Sequence, residues 1–158
     1  MIARWPGRIP PGSKTDQTFC LTDIMATVAA IAGFELPNNA AEDSFNFLPA
    51  FTGEQGNSSV REYTLHQTIQ LALAIRRGPW KYLDHQGSGG NDYTREALQA
   101  YVLPEKAPGA PAQLYNLESD PGETTNLYFE HPEIVKELKS QLDEFVSSGR
   151  SAPTRGLN

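Results

Sequence analysis

The sequence is poor in several things, and each shortage removes a class of explanation. It has one cysteine, Cys20, in 158 residues. A single thiol makes neither an internal disulfide nor a cysteine metal cluster, so it leaves the redox compartment open. Basic residues are outnumbered, with 13 Lys and Arg against 19 Asp and Glu and a formal net charge of -6. Phosphate backbones are gripped by a basic face, so the balance argues against a nucleic-acid partner. No apolar run approaches the ~20 residues that span a bilayer, and the N-terminal MIARWPGRIPPG has two arginines but no apolar segment of signal length. The chain reads as soluble with no visible address. What it does have is 39% hydrophobic residues, enough in a chain of this size to bury a core.

The 13 glycines and 12 prolines gather at a few places, which is how segment borders show themselves. PGRIPPGSK (6–14) is the first; ahead of it, Met1 to Trp5 reads as the end of a strand whose partner is not evident. Then LTDIMATVAAIAG places Leu21, Ile24, Met25, Val28, Ile31 and Ala32 on one stripe of a helix, with Gly33 as its C′ residue. Asp23 falls in the first turn, where a carboxylate suits the helix dipole, and Cys20 reads as a small buried hydrophobe rather than a nucleophile. Residues 35–59 mix polar loop with the apolar island Phe45–Phe51 and form the best linker candidate; Asn57-Ser58-Ser59 within them fits a glycosylation acceptor, a triplet common by chance.

From Val60 the period changes to that of strands. REYTLHQTIQ, LALAIRRG and PWKYLDH lie between Gly/Pro punctuation, and Leu71, Leu73 and Ile75 alternate with Ala72, Ala74 and Arg76. Arg76-Arg77-Gly78-Pro79 reads as a hairpin tip carrying positive charge, and a solvated tip with a cation over Trp80 is the simplest account of it. GSGGND (87–92) and LPEKAPGAPAQ (103–113) form a long Gly/Pro-rich excursion. Asp120, Pro121 and Glu123 give a capping-box pattern for a short helical turn. A last helix starts at His131-Pro132-Glu133, with Ile134, Val135, Leu138, Leu142, Phe145 and Val146 as its apolar face and Gly149 as its stop.

Taken in order, IARWPGRIPPGS, LTDIMATVAAIAG, AEDSFNFLPAFTG, LAIRRGPWKYL and QLYNLESDPGETTNL resemble the C-terminal third of the type I, formylglycine-dependent sulfatases. The resemblance implies an α+β fold: the tail of an alkaline-phosphatase-like α/β domain over residues 1–52, then over 60–158 a small antiparallel sheet packed on a C-terminal helix. It implies that the chain is a C-terminal fragment of a sulfuric ester hydrolase, with Met1 an internal residue, whose partner is the missing N-terminal catalytic portion and whose substrate is a sulfated small molecule or glycan. It also implies export to the periplasm or exterior. Family members use calcium and a formylglycine made from the Cys or Ser of C/S-x-P-x-R, because a sulfate ester spreads charge that preorganised cations must meet. The cysteine form of that motif is absent here, since Cys20 is followed by Leu-Thr-Asp-Ile, and Asn91-Asp92 is not the Asp-Asn-Gly expected of a calcium site. No cofactor is therefore expected on this chain alone, nor turnover.

Four residues are candidates for substrate contact. His66 interrupts a strand pattern near a place where family members often carry His, with Gln67 as a weaker companion. Arg76 and Arg77 have guanidinium forks that suit sulfate or carboxylate oxygens. Two other readings stay open: the tail of a related phosphodiesterase or phosphonate hydrolase, and a non-catalytic module binding a carbohydrate or a partner chain. The module would leave the stripe of residues 21–32 with nothing to cover it.

Overall fold

The computed structural model describes residues 1–56 and 58–155; the glycosylation triplet begins at Asn57, outside them. The chain divides into two compact units, one of Met1–Glu62 with Ser148–Asn158 and one of Tyr63–Ser147.

In the first unit α1 (Asp23–Ala32) ends where Gly33 takes the left-handed conformation and its N–H caps the helix carbonyls. A one-turn helix, α2 (Leu48–Thr52), follows. Phe47, fully buried, meets Phe19 edge-on at 5.0 Å, and Phe51 completes an aromatic trio. The side of α1 that is buried is its polar one, through Asp23, Ala26 and Thr27. Thr27 Oγ1 accepts from Phe47 N at 3.0 Å, and Ser44 Oγ accepts from Ala26 N at 2.8 Å. The expected apolar stripe faces outward: Leu21, Ile24, Met25, Val28 and Ile31 are all exposed. Met1–Trp5 forms no strand, because a strand is held by ladder partners and these residues have none among the described ones. The residues after Ser148 group with this unit rather than with the one they follow in sequence. The Arg155 guanidinium donates to the carbonyls of Ala40, Ala41 and Ser44, and Ser151 donates twice to Asp43 Oδ1.

The second unit is a four-stranded antiparallel sheet, β1 (Tyr63–Gln67), β2 (Leu73–Arg77), β3 (Trp80–Leu83) and β4 (Gln113–Asn116), in the order 1-2-3-4. The β2–β3 loop is Gly78-Pro79 alone, and Gly78 takes the positive φ (54°) that a two-residue hairpin asks of its first loop position. Strand β2 starts at Leu73 rather than Leu71: Thr68 Oγ1 accepts from Gln70 N and Ala72 N, turning the chain with Leu71 at a positive φ. A short helix α3 (Glu96–Gln99) lies in the excursion between β3 and β4.

One face of the sheet packs on α4 (Pro132–Ser148), through Ile75, Tyr82 and Leu114 against Val135, Leu138 and Leu142. Each fully buried aliphatic there contributes about 1.5–3 kcal/mol. The mixed α+β class is the one that the resemblance implies. The helical turn expected at Asp120–Glu123 is absent. Glu123 sits at φ 53°, outside helical space, and the Asp120 carboxylate accepts instead from the N–H groups of Thr124 and Thr125. Trp80 packs its ring on His131 at 4.9 Å, and the Arg77 guanidinium lies over Tyr63 instead of the indole.

Candidate ligand-binding site

Successive residues of a strand point to opposite faces, so the register sorts the sheet unambiguously. The face away from α4 carries two rows across all four strands. His66, Ala74, Leu83 and Gln113 are mutual partners in one, and Thr64, Arg76, Lys81 and Tyr115 in the other. Polar groups at the ends of the first row are separated by Ala74 and Leu83, and the small Ala74 leaves a hollow. The long β3–β4 excursion and residues 122–126 rise around it, enclosing a cavity of about 560 Å³ with His66, Lys81, Tyr93, Tyr101, Glu105 and Gln113 among its lining.

The floor is fixed by hydrogen bonds. Buried Gln113 donates through Nε2 to the carbonyls of His85 (2.9 Å) and Gly87 (2.8 Å), which anchors the start of the excursion. Its Oε1 accepts from the Tyr115 hydroxyl at 2.6 Å. Burial pushes the Tyr115 phenol up to about 12, with the carboxylates of Glu105, Glu123 and Asp120 adding to it, so Tyr115 is a neutral donor at ordinary pH. Lys81 Nζ meets Glu123 Oε1 at 2.7 Å, and the positive φ of Glu123 is what brings that carboxylate over the sheet. Glu105 Oε1 accepts from Ala107 N and Asn126 Nδ2.

Of the four residues singled out in the sequence, only His66 lines this cavity. Gln67, exposed at the end of β1, belongs to the α4 side by register. Arg76 shares the face of His66 but lies outside the cavity lining, its Nε donating to Gly78 O at 2.8 Å. Arg77 projects on the α4 side and pairs with Glu137 while donating to the Tyr63 hydroxyl. Lys81, Gln113 and Tyr115 went unnoticed in the sequence. Alternation alone could have placed Lys81 opposite Tyr82, but the β3–β4 register that aligns Gln113 with Leu83 is set across the whole excursion.

The first unit holds a separate polar node. Asp23 is fully buried, and its carboxylate accepts from Arg61 Nη2 (2.7 Å), Cys20 N (2.8 Å) and Phe45 N (2.9 Å). The Arg61 guanidinium also reaches Asp43 O and Cys20 Sγ and lies 4.5 Å from the Phe45 ring centroid. Cys20 thus has a structural setting and does not fit the nucleophile of C-x-P-x-R. Among the described residues no group of three or more His, Cys, Asp or Glu side chains is placed to hold a metal ion.

No protein-family model matches the chain, but individual proteins do. The chain is 34% identical over 142 residues to N-acetylgalactosamine-6-O-sulfatase of Bacteroides thetaiotaomicron, covering 90% of this chain and 26% of that one. It is 32% identical over 169 residues to arylsulfatase A of Homo sapiens, covering 98% and 33%. A solved structure from work on the metabolism of multiple glycosaminoglycans by Bacteroides thetaiotaomicron aligns with a TM-score of 0.69 at 34% identity, over 89% of this chain and 27% of that one. These matches place the chain with the sulfatases. More particularly, it matches their C-terminal portion, and it spans about a quarter to a third of the length of the curated relatives it resembles.

Proposed function

We propose that this chain acts as the C-terminal part of a sulfuric ester hydrolase whose substrate is a sulfated carbohydrate or an aryl sulfate, and that alone it has no turnover. The observation that carries the reading is the 34% identity sustained over 90% of the chain with a sulfatase named for a sulfated amino sugar. Its inactivity alone is supported by the only cysteine, which lacks the Pro and Arg of the formylglycine motif, and by the setting of Ser151-Ala152-Pro153-Thr154-Arg155, which matches the serine form in letters while its Ser151 hydroxyl donates to Asp43 Oδ1 and its Arg155 guanidinium to the carbonyls of Ala40, Ala41 and Ser44.

The partner in this reading is an N-terminal catalytic portion, which would bring the calcium and the formylglycine. The α1 stripe supports it. Four large apolar side chains, Ile24, Met25, Val28 and Ile31, with Leu21 just ahead of them, stand in solvent on one side of a helix whose polar side is buried, and a contiguous apolar surface of this kind marks an interaction site. The same stripe opposes a self-sufficient binding module. His66 is the residue we assign to substrate. Gln67 and Arg76 would be reached only by a substrate extending past the cavity, and Arg77 only by one that competes with Glu137. We place the parent protein in the periplasm or outside the cell; among the described residues no helix is long and apolar enough to cross a membrane.

The test is an assay of the purified 158-residue chain with calcium on an aryl sulfate and on N-acetylgalactosamine 6-sulfate. No hydrolysis is expected, and turnover would refute the inactivity. The coding sequence ahead of Met1 tests the rest: an in-frame C-x-P-x-R or S-x-P-x-R supports the sulfatase, whereas a stop codon and ribosome-binding site directly before Met1 overturn it in favour of a module.

A further inference from the structure

We propose that the hollow on the open face of the sheet binds a neutral, hydroxyl-rich sugar ring, so that this part of the chain recognises the uncharged portion of a glycan and not its sulfate. The source of the sugar rests on the sulfatase reading; the site itself does not.

The charges around the hollow cancel. Lys81 is tied to Glu123, and the remaining pair, Glu105 and Lys106, is again one of each sign. A sulfate or carboxylate needs an excess of cationic donors converging on it, and the two arginines that could supply one, Arg76 and Arg77, are absent from the lining. A sugar ring asks for something different: donors and acceptors interleaved at one edge and an apolar or aromatic surface for its C–H faces. The lining has that mixture, with His66, Lys81, Glu105 and Gln113 beside Tyr93 and Tyr101. Tyr101 is 70% exposed; its ring stands in solvent at the rim of the hollow, where a ligand can reach it. The cavity of about 560 Å³ falls inside the ~300–1,000 Å³ range of small-ligand sites. Its floor is preorganised, because Gln113 and Tyr115 are already bonded to each other and to the loop, so little ordering is left to oppose binding.

The experiment is a nuclear magnetic resonance titration of the full chain with two probes, N-acetylgalactosamine and N-acetylgalactosamine 6-sulfate, each at low and high salt. The expected result is binding of both with affinities within about twofold and no salt dependence, since no net charge is met. Shifts should centre on Lys81, Gln113 and Tyr115. Tyr101→Ala, at an exposed position that the fold does not need, should weaken both probes about five- to tenfold, the worth of one aromatic contact. Tighter binding of the sulfated probe that fades with salt would overturn the proposal in favour of an anion site. Binding of neither probe, or an unchanged affinity in Tyr101→Ala, would also overturn it. A stop codon ahead of Met1 would end the sulfatase reading and leave a positive titration standing; a negative titration beside an upstream C-x-P-x-R would end this proposal alone.

Discussion

Replacing Asp23 by alanine should be among the most damaging single changes the first unit can suffer. The carboxylate and its partner Arg61 have side-chain exposures of 0% and 3%. Removing the acid takes from the buried Arg61 guanidinium its carboxylate partner, and from the backbone N–H groups of Cys20 and Phe45 the oxygens they donate to. Breaking a buried pair from one side costs about 3–5 kcal/mol, a large share of the ~5–15 kcal/mol that holds a domain together. Lys139–Asp143 on α4 is the natural control, an exposed i,i+4 pair whose loss costs about 0.3–0.5 kcal/mol. The two tryptophans separate the readouts, because Trp5 lies in the first unit and Trp80 in the second. With Trp80 replaced by Phe, urea unfolding followed by Trp5 fluorescence should shift strongly in Asp23→Ala. The double variant Asp23→Ala, Arg61→Met should recover part of the loss, because both buried charges of the pair are then removed together. A loss below about 1 kcal/mol for Asp23→Ala, the level of a surface pair, would refute the reasoning.

Leu142→Ala should cost the second unit about 2–5 kcal/mol, since Leu142 is fully buried under the sheet; chemical denaturation followed by Trp80 measures it. Alkaline stability should fall for a defined reason. Burial, and for Tyr82 also its bond to Asp84, hold the Tyr82 and Tyr115 hydroxyls protonated above the ordinary phenol range, to about 12 for Tyr115. Both phenols ionise near pH ~10 once unfolded, so the folded form keeps protons that the unfolded form loses. The Tyr115 contribution is complete below pH ~10 and lost as pH rises towards about 12, while that of Tyr82 is still being lost above it; urea midpoints measured from pH ~10 to about 12 should decline, less so in Tyr115→Phe. Met25→Lys with Val28→Glu, on the exposed stripe of α1, should leave stability within about 0.5 kcal/mol and reduce self-association seen by light scattering. Gly89→Ala should disturb the loop beside the hollow: its Cβ would stand 2.8 Å from Thr68 Cγ2 and 2.9 Å from His85 Cε1, at a φ of +67°, and the His85 ring signals should move.

Much of the second unit was legible because local pattern and tertiary fate agree there. Val135, Leu138 and Leu142 of the α4 stripe are buried and Ile134 and Phe145 pack beside them, while Val146 near the helix end stays exposed, and Gly149 follows the helix at a positive φ. The hairpin follows from Gly78-Pro79 between alternating strands. The capping-box pattern at Asp120 misled because the same short side chain serves a helix start and an isolated turn equally well, and the pull of Lys81 on Glu123 favours the turn. The hollow was invisible for another reason. Its chemistry is assembled by register, with His66 and Gln113 three strands apart at roughly 4.8 Å per strand, and no sequence window contains both.

The first unit shows the limit of reading amphipathicity as burial. The 3.6-residue pattern from Leu21 to Ile31 is as regular as that of α4, yet it faces solvent, while the residues between its members, Asp23, Ala26 and Thr27, make the contacts. Asp23 and Thr27 manage this because each brings hydrogen bonds that repay desolvation, to Arg61 and to the backbone of Phe45 and Phe47. A helix with polar anchors on one side and a clean apolar stripe on the other is suited to two neighbours of different kind: a polar one within this chain, and an apolar one not found among the described residues. That second neighbour is the physical argument for the partner proposed above, since it rests on the side chains of α1 without appeal to any relative.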